Sequence, residues 1–375
     1  MTVYIFILVI SSSLSFMYSL AKDKSARIVL VTLCFLSLFI PAAIRGGIGA
    51  DYFSYLRIYY RISQGIEISQ EPGIFLISKL LLLFNLPGHA LIVTYSFISI
   101  LFVFLAVPKK YFYLGISVYV MVFYLDSYCL LRQALACSVM LFAYRKYFEG
   151  NTKSCVFWSA IAFLNHKVMI IPIMLLLFSR FVQEIQPLAR NAMYLLLFVV
   201  LYLLKNTIVS FVMNSVLSFT PYAGYALNRY ATAEAGRNSG LGFLLQILLL
   251  IILLYLSDSD VLSKREYKVC GIYFVYLLFV RCLSQVLFIF VRLVNSVTFI
   301  YVPFIISASK SRSKERRLLI AFFYFVMALL YVKGILDSPI HGQDVVGGRQ
   351  VYPYTTIFNY KDNSLIMQRK YRFGF

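Results

Sequence analysis

Apolar runs of about twenty residues follow one another along this chain with only short polar interruptions, and that leaves it few ways to fold. At a rise of 1.5 Å per residue, such a run matches the ~30 Å hydrocarbon core of a bilayer. The runs are continuous and lack period-2 alternation, so a transmembrane β-barrel is excluded. Charged residues make up 13% and hydrophobic residues 61%, whereas a soluble domain is about 25% charged. The expected fold class is therefore all-α: a polytopic integral membrane protein with roughly ten to twelve transmembrane helices, short re-entrant or half-helices, and polar external loops. Residues 1–375 read as one transmembrane domain, with no polar stretch long enough for a second domain and no internal repeat.

Charge orients the spans. No basic residue precedes the run Thr2–Leu20, and Lys22, Lys24 and Arg27 follow it. That order predicts a retained span with its N-terminus outside, not a secretory signal. A second span, Ile28–Ile44, then emerges into an external island, residues 45–73. The run Ile74–Leu86 is too short to cross and reads as interfacial or re-entrant. Spans are expected at His89–Val107, Tyr111–Ser127 and Tyr128–Tyr147. Cys155–Phe181 is interrupted by Asn165-His166-Lys167. With Lys153 and Arg180 both placed inside by charge, that segment is expected to be two half-helices meeting at a polar break. Further spans follow at Asn191–Ser218, Leu241–Leu256, Val269–Phe288, Ile289–Ala308 and Leu318–Val332. Loop 219–240 and tail 333–375 are expected outside, and the Lys310–Arg317 cluster inside.

The net charge of +20 would suggest nucleic acid in a soluble chain. Here the excess sits largely in short loops, where sorting of cations to the inner face explains it, and no basic-aromatic domain exists to bind nucleic acid. Cys34, Cys129, Cys137, Cys155, Cys270 and Cys282 lie in or beside apolar segments without metal-ligand spacing, and read as small packing residues. There is no zinc spacing, no Asp-x-Asp pair and no Ser-His-Asp order, so neither a metal nor a cofactor is expected.

Sorting does not explain Arg45, Arg57, Arg61, Arg132, Arg229, Arg237, Arg281 and Arg292, which map to the outer face or the outer half of a span. A cation within a span costs about 2.5–3.5 kcal/mol near its centre, so a compensating anion is expected. One reading pairs these arginines with Asp51, Glu67, Glu71, Asp126 and Glu234, or lets them snorkel to headgroups. The other is an external site for an anionic ligand, since the guanidinium fork fits phosphate oxygens in pairs. The island concentrates the chemistry: Arg45, Gly46, Gly47, Gly49, Asp51, Tyr52 and Tyr55. Its glycines would let backbone amides approach an anion. Its tyrosines suit either a sugar ring or an interfacial belt. Asp51 is the best candidate carboxylate at a reacting centre, ahead of Glu71 and Asp126. His166 suits either acid–base work or a structural hydrogen bond across its break. His89 and His341 read as interface or loop histidines.

These residues bring a family into view. Arg45, Gly49-Ala50-Asp51-Tyr52, Tyr55, and Glu71 with Gly73 ahead of an apolar run resemble the opening signature of the EpsG-like branch of the Wzy-type polysaccharide polymerases. In the same order, Arg132-Gln133 opens a helix, Ala162-Phe163-Leu164-Asn165-His166-Lys167 resembles the branch's Ala…His segment, and Tyr352-Pro353-Tyr354 resembles its aromatic-proline signature. Arg229 and Gly240 match a loose Arg-x10-Gly pattern. Ala50 stands where Thr is common, and no Tyr closely follows Arg292.

The resemblance implies a metal-independent glycosyltransferase in the bacterial inner membrane. Such an enzyme transfers a growing glycan from undecaprenyl diphosphate to the non-reducing end of an incoming lipid-linked repeat unit on the periplasmic face. It further implies catalytic Asp51 and His166, diphosphate contacts from Arg45, Arg132, Arg229 and Arg292, and sugar contacts from Tyr52, Tyr55, Glu71 and Gln133. Its partners would be membrane lipid, undecaprenyl-diphosphate-linked oligosaccharide, a chain-length regulator and a flippase. A flippase for the same lipid-linked oligosaccharide is the transporter alternative, and would spread polar residues through both halves of the bilayer. A ligase moving finished O-antigen to lipid A shares donor and topology.

Overall fold

A computed structural model of the chain describes residues 1–66, 71–182, 187–216, 240–257, 262–287, 289–310, 313–342 and 348–374. Every named element is a helix, and the only bridges recorded among the described residues are two isolated pairs, Arg45 with Thr356 and Pro339 with Tyr352. Among the described residues seven helices are long and apolar enough to cross a membrane. Pro72–Leu83 and Gly240–Leu256 are apolar but shorter. Much of the difference from the expected ten to twelve comes from helices that carry charge or are broken. The described residues cluster into two compact units. The first comprises residues 1–170, 299–303 and 331–375, and the second residues 171–298 and 304–330.

The first unit opens with α1 (Thr2–Leu20) and α2 (Lys24–Ile44). Asp23 caps α2 by accepting from the Ala26 amide at 2.7 Å. Small hydroxyl residues let neighbouring helices approach. Ser12 of α1 accepts from Ser117 at 2.9 Å, and Ser11 passes its own proton to the Ile7 carbonyl at 2.7 Å. Next come α3 (Tyr52–Ser63), α4 (Pro72–Leu83) and α5 (His89–Ala106). α3 is amphipathic. It buries Tyr52, Phe53, Tyr55, Tyr59 and Ile62 and exposes Arg57, Tyr60 and Arg61. The following span begins as α6 (Phe112–Tyr119), passes through a π-turn at Val120–Tyr124 and ends as α7 (Leu125–Cys129). The π-turn adds a residue to one turn and so rotates α7 about the helix axis. Tyr124, Asp126 and Tyr128 are all buried there. α8 (Leu131–Phe148) and α9 (Thr152–Asn165) complete this run. As expected, the helix breaks at His166, whose backbone is extended (φ −158°, ψ 120°).

Beyond the break, α10 (Ile170–Phe178), α11 (Pro187–Phe211), α12 (Gly240–Leu256), α13 (Lys264–Leu283) and α14 (Ile289–Asn295) supply most of the second unit. Arg190 closes the end of α12, donating to the Ser257 carbonyl at 2.8 Å with the Tyr267 ring 4.4 Å from its guanidinium. Ser263 and Glu266 form a reciprocal capping box at the start of α13. Glu266 also accepts from Ser307 at 2.6 Å and from Lys310 at 2.8 Å. α15 (Tyr301–Ala308) and α16 (Lys314–Leu336) each have residues in both units. The tail belongs to the first unit and ends in α17 (Ser364–Arg372), capped by Asn363. All six cysteines are buried, and none forms a disulfide among the described residues.

Candidate functional site

The first unit gathers its polar chemistry around the C-terminal end of α2. A helix leaves its last four carbonyls without intrahelical donors, and here each has found one. The Tyr354 hydroxyl donates to Pro41 at 2.8 Å, Arg45 Nη1 to Ala42 at 2.7 Å, His89 Nε2 to Ala43 at 2.6 Å, and the Ile357 amide to Ile44 at 2.8 Å. A carbonyl only accepts, so Nε2 of His89 carries the proton. Its Nδ1 therefore accepts from the Tyr52 hydroxyl at 3.1 Å. His89, read from sequence as an interface histidine, is thus part of the site.

Arg45 is the centre of this arrangement and is 1% exposed. Besides Ala42, its Nη1 donates to Ser96 Oγ at 3.2 Å, and the Tyr128 ring lies 4.4 Å from the guanidinium carbon. Nε and Nη2 are buried with no hydrogen-bond partner. Among the described residues no carboxylate pairs with it. The cation is held by the negative end of the α2 dipole and by an aromatic face, which is worth about 2 kcal/mol when desolvated. Each unmet buried polar group costs about 1–3 kcal/mol.

Arg132 is held differently. It stands in the first turn of α8, where the helix dipole disfavours a cation. Its Nη1 pairs with Glu71, which stands at the N-cap position of α4 without a side-chain capping bond. The same guanidinium lies 5.9 Å from the Tyr55 ring. Gln133 is buried beside it in α8.

Asp51 is half-buried and occupies the N-cap position of α3 without making the capping hydrogen bond. It lies within electrostatic reach of Tyr55 and Cys129. Burial pushes the Tyr52 hydroxyl up to about 12, although the Arg45 charge works the other way. Burial, reinforced by Asp51, does the same for Tyr55. Burial carries Tyr354 to about 12, again against the Arg45 charge. All three are therefore neutral phenols near pH 7, able to donate a hydrogen bond.

The loop between α2 and α3 is packed on both sides by distant parts of the chain. The Gly46 amide donates to the Thr355 carbonyl and the Gly49 amide to the Gln350 carbonyl, each at 3.0 Å. A methyl at Gly46 would overlap the Thr356 carbonyl, one at Gly47 the Ile366 side chain, and one at Gly49 the Tyr128 carbonyl. Gly47 and Gly49 also have positive φ (68° and 97°). The glycines thus admit the protein's own segments, which corrects the expectation that they clear room for an anion. Arg369 of α17 donates to the carbonyls of Gly47, Gly49 and Ala50 at 2.9–3.0 Å. Tyr352-Pro353-Tyr354 leads into this contact. The Tyr4 hydroxyl reaches the Val351 carbonyl at 2.6 Å, and the Tyr4 and Tyr354 rings meet edge to face. Nearby, Asp126 pairs with Arg349 and so has a structural partner.

The structure therefore brings Arg45, Asp51, Tyr52, Tyr55, Glu71, Arg132 and Gln133 into one unit. His166 stands in the same unit at its break. Its Nδ1 accepts from the Val168 amide at 3.2 Å, a capping bond for the next turn. The break adjoins α4, because a methyl at Gly73 would lie 2.5 Å from Asn165 Oδ1. Arg292 is half-buried on α14 in the second unit, where Arg281 also donates to Gln246 at 2.8 Å. Arg229 and most of loop 219–240, with Glu67, lie outside the described residues. Sequence reasoning missed His89 and Arg369. A tyrosine-rich loop beside a helix ending in unpaired carbonyls was the one available signal for the former.

No curated protein and no solved structure matches the chain. A family model does match, over residues 28–356, and that span takes in each motif from Arg45 to Tyr354. This all-helical, multi-pass chain belongs to the EpsG family.

Proposed function

We propose that the protein is a polysaccharide polymerase. It transfers a growing glycan from undecaprenyl diphosphate to the non-reducing end of an incoming lipid-linked repeat unit at the periplasmic face of the inner membrane. The observation that carries this reading is Arg45, a buried guanidinium that among the described residues has two unmet nitrogens and no carboxylate partner. A diphosphate supplies the missing acceptors and countercharge, and its developing charge would be stabilised as the glycosidic bond breaks.

In the proposed step the acceptor hydroxyl oxygen attacks C1 of the donor sugar that is joined to the diphosphate. The C1–O bond to diphosphate breaks and its electron pair leaves with the lipid diphosphate. The hydroxyl proton passes to a base, for which Asp51 is the candidate because it is half-buried and adjacent to the tyrosines. Tyr52 and Tyr55, as neutral phenols, suit a sugar's hydroxyls. Arg132 and Glu71 orient one another at the edge of the same unit. A chain-length regulator and a flippase are the expected companions of such an enzyme.

The test is the glycan ladder made in cells lacking the chromosomal copy. Arg45→Ala should leave only single repeat units while the protein stays in the membrane at normal abundance. Arg45→Lys should recover part of the ladder at most, because the fork is lost. A wild-type ladder from Arg45→Ala overturns the reading.

A further inference from the structure

We infer that Arg369, beyond the span shared with the family model, is a positioning residue for the reacting loop, and that α17 is the clasp that presents it. The inference rests on the polymerase reading for its activity arm.

Arg369 is 0% exposed, a rare condition for an arginine on a short terminal helix. Its Nη1 donates to the Gly47 carbonyl at 3.0 Å, and its Nη2 to Gly49 and Ala50 at 2.9 and 3.0 Å. The Phe53 ring lies 5.6 Å from the guanidinium. Hydrogen bonds from a charged donor are stronger than those between neutral groups. Three of them converge on four consecutive residues that end immediately before Asp51. A planar trans peptide fixes the next N–H once its carbonyl is fixed. Arg369 therefore sets the peptide planes on which Asp51 and the start of α3 stand.

Arg45 is not held by this clasp. Its side-chain contacts are Ala42, Ser96 and Tyr128, while its backbone bridges to Thr356. The two halves of the site are thus held by different side-chain contacts, the Arg45 guanidinium by α2, α5 and α7 and the loop bearing the base by Arg369 of α17. Loosening the clasp should spare diphosphate binding and impair transfer. A purely structural role would instead lower abundance and both activities together.

The experiment compares wild type with Arg369→Lys, Arg369→Met and the exposed control Arg372→Ala, all full-length in lipid nanodiscs. Two readouts are taken: hydrogen exchange of residues 46–52, and kcat and KM with lipid-linked repeat units extracted from a polymerase-deficient strain. Undecaprenyl diphosphate is the binding probe. For Arg369→Lys we expect faster exchange in 46–52. Its kcat should fall by about tenfold to a hundredfold, the loss expected of a small misplacement, with KM and carrier affinity within about twofold. Arg369→Met should exceed it in both respects, and Arg372→Ala should match wild type. Unchanged exchange, or faster exchange with wild-type kcat, overturns the inference, as does a parallel loss of affinity and turnover. If the wild-type protein binds the carrier but transfers nothing, the polymerase reading falls. The exchange data then decide the clasp alone.

Discussion

Arg45 and Arg132 bring the same charge into opposite circumstances. Arg132 has a carboxylate against it, so removing Glu71 would strand a cation, while removing both would leave little unsatisfied. Among the described residues the Arg45 guanidinium has a hydroxyl, a carbonyl and an aromatic face but no carboxylate, and is stranded already. That contrast separates a residue whose partner is built in from one whose proposed partner is a ligand. At the same scale, Asp51 is testable by a change that keeps its shape. Asp51→Asn should slow transfer by about a hundredfold or more if the carboxylate is the base, with carrier binding retained. Near-normal turnover of purified Asp51→Asn would move the role to His166, whose capping bond to Val168 already gives it a structural reason to exist. His89 shows why single residues are hard to read from a sequence. A histidine opening an apolar run looks like a membrane-belt residue until the carbonyl and phenol that fix its tautomer are in view.

The elements were far more legible than their joints. Thr2–Leu20 is helical over the expected range, and the C-terminal end of α2 and both ends of α5 and α12 fall within a residue of the apolar runs that forecast them, while α2 begins four residues before its run, because hydrocarbon leaves the backbone no partner but itself. The joints depend on contacts hundreds of residues away. The glycines after α2 are the clearest case. A sequence shows only that Gly46, Gly47 and Gly49 are small, and an anion is a natural reason for small residues there. The segments occupying their space are Thr356, Ile366 and Tyr128. Gly46→Ala and Gly49→Ala should therefore remove most folded protein from the membrane, since backbone atoms stand in the way. Gly65→Ala is the informative contrast. It also has positive φ (72°) but open space around it, so it should cost only the left-handed penalty of about 1–2 kcal/mol and leave abundance near normal. Membrane abundance and melting of the three variants check this.

For the whole molecule, the pairing of 44–49 with 350–357 places the first island and the tail on the same side of the bilayer. Cation sorting had assigned both to the outside. Cysteines at Ser63 and at Ser313, beside the basic cluster, make the orientation measurable. An impermeant reagent added from outside should label Ser63→Cys and spare Ser313→Cys, and the reverse pattern would move the proposed site to the cytoplasm. The membrane class, the all-helical fold and the motif positions were readable because hydropathy and local spacing encode them. The convergence of α2, α7 and the tail was not, because no local pattern announces an arginine that binds three carbonyls.

That convergence also has a meaning in time. Arg369 and Ala50 are 319 residues apart along the chain, and a ribosome adds about 5–20 residues per second. The loop carrying Asp51 therefore waits on the order of half a minute, already threaded into the membrane, before the residue that fixes it exists. During that interval Arg45 has its helix end but not Tyr354 or the strand-like cover of 350–357. Synthesis itself keeps the site unassembled until the last turns of the chain have emerged, so a half-made protein holds the parts of the reaction without the arrangement that would let them act.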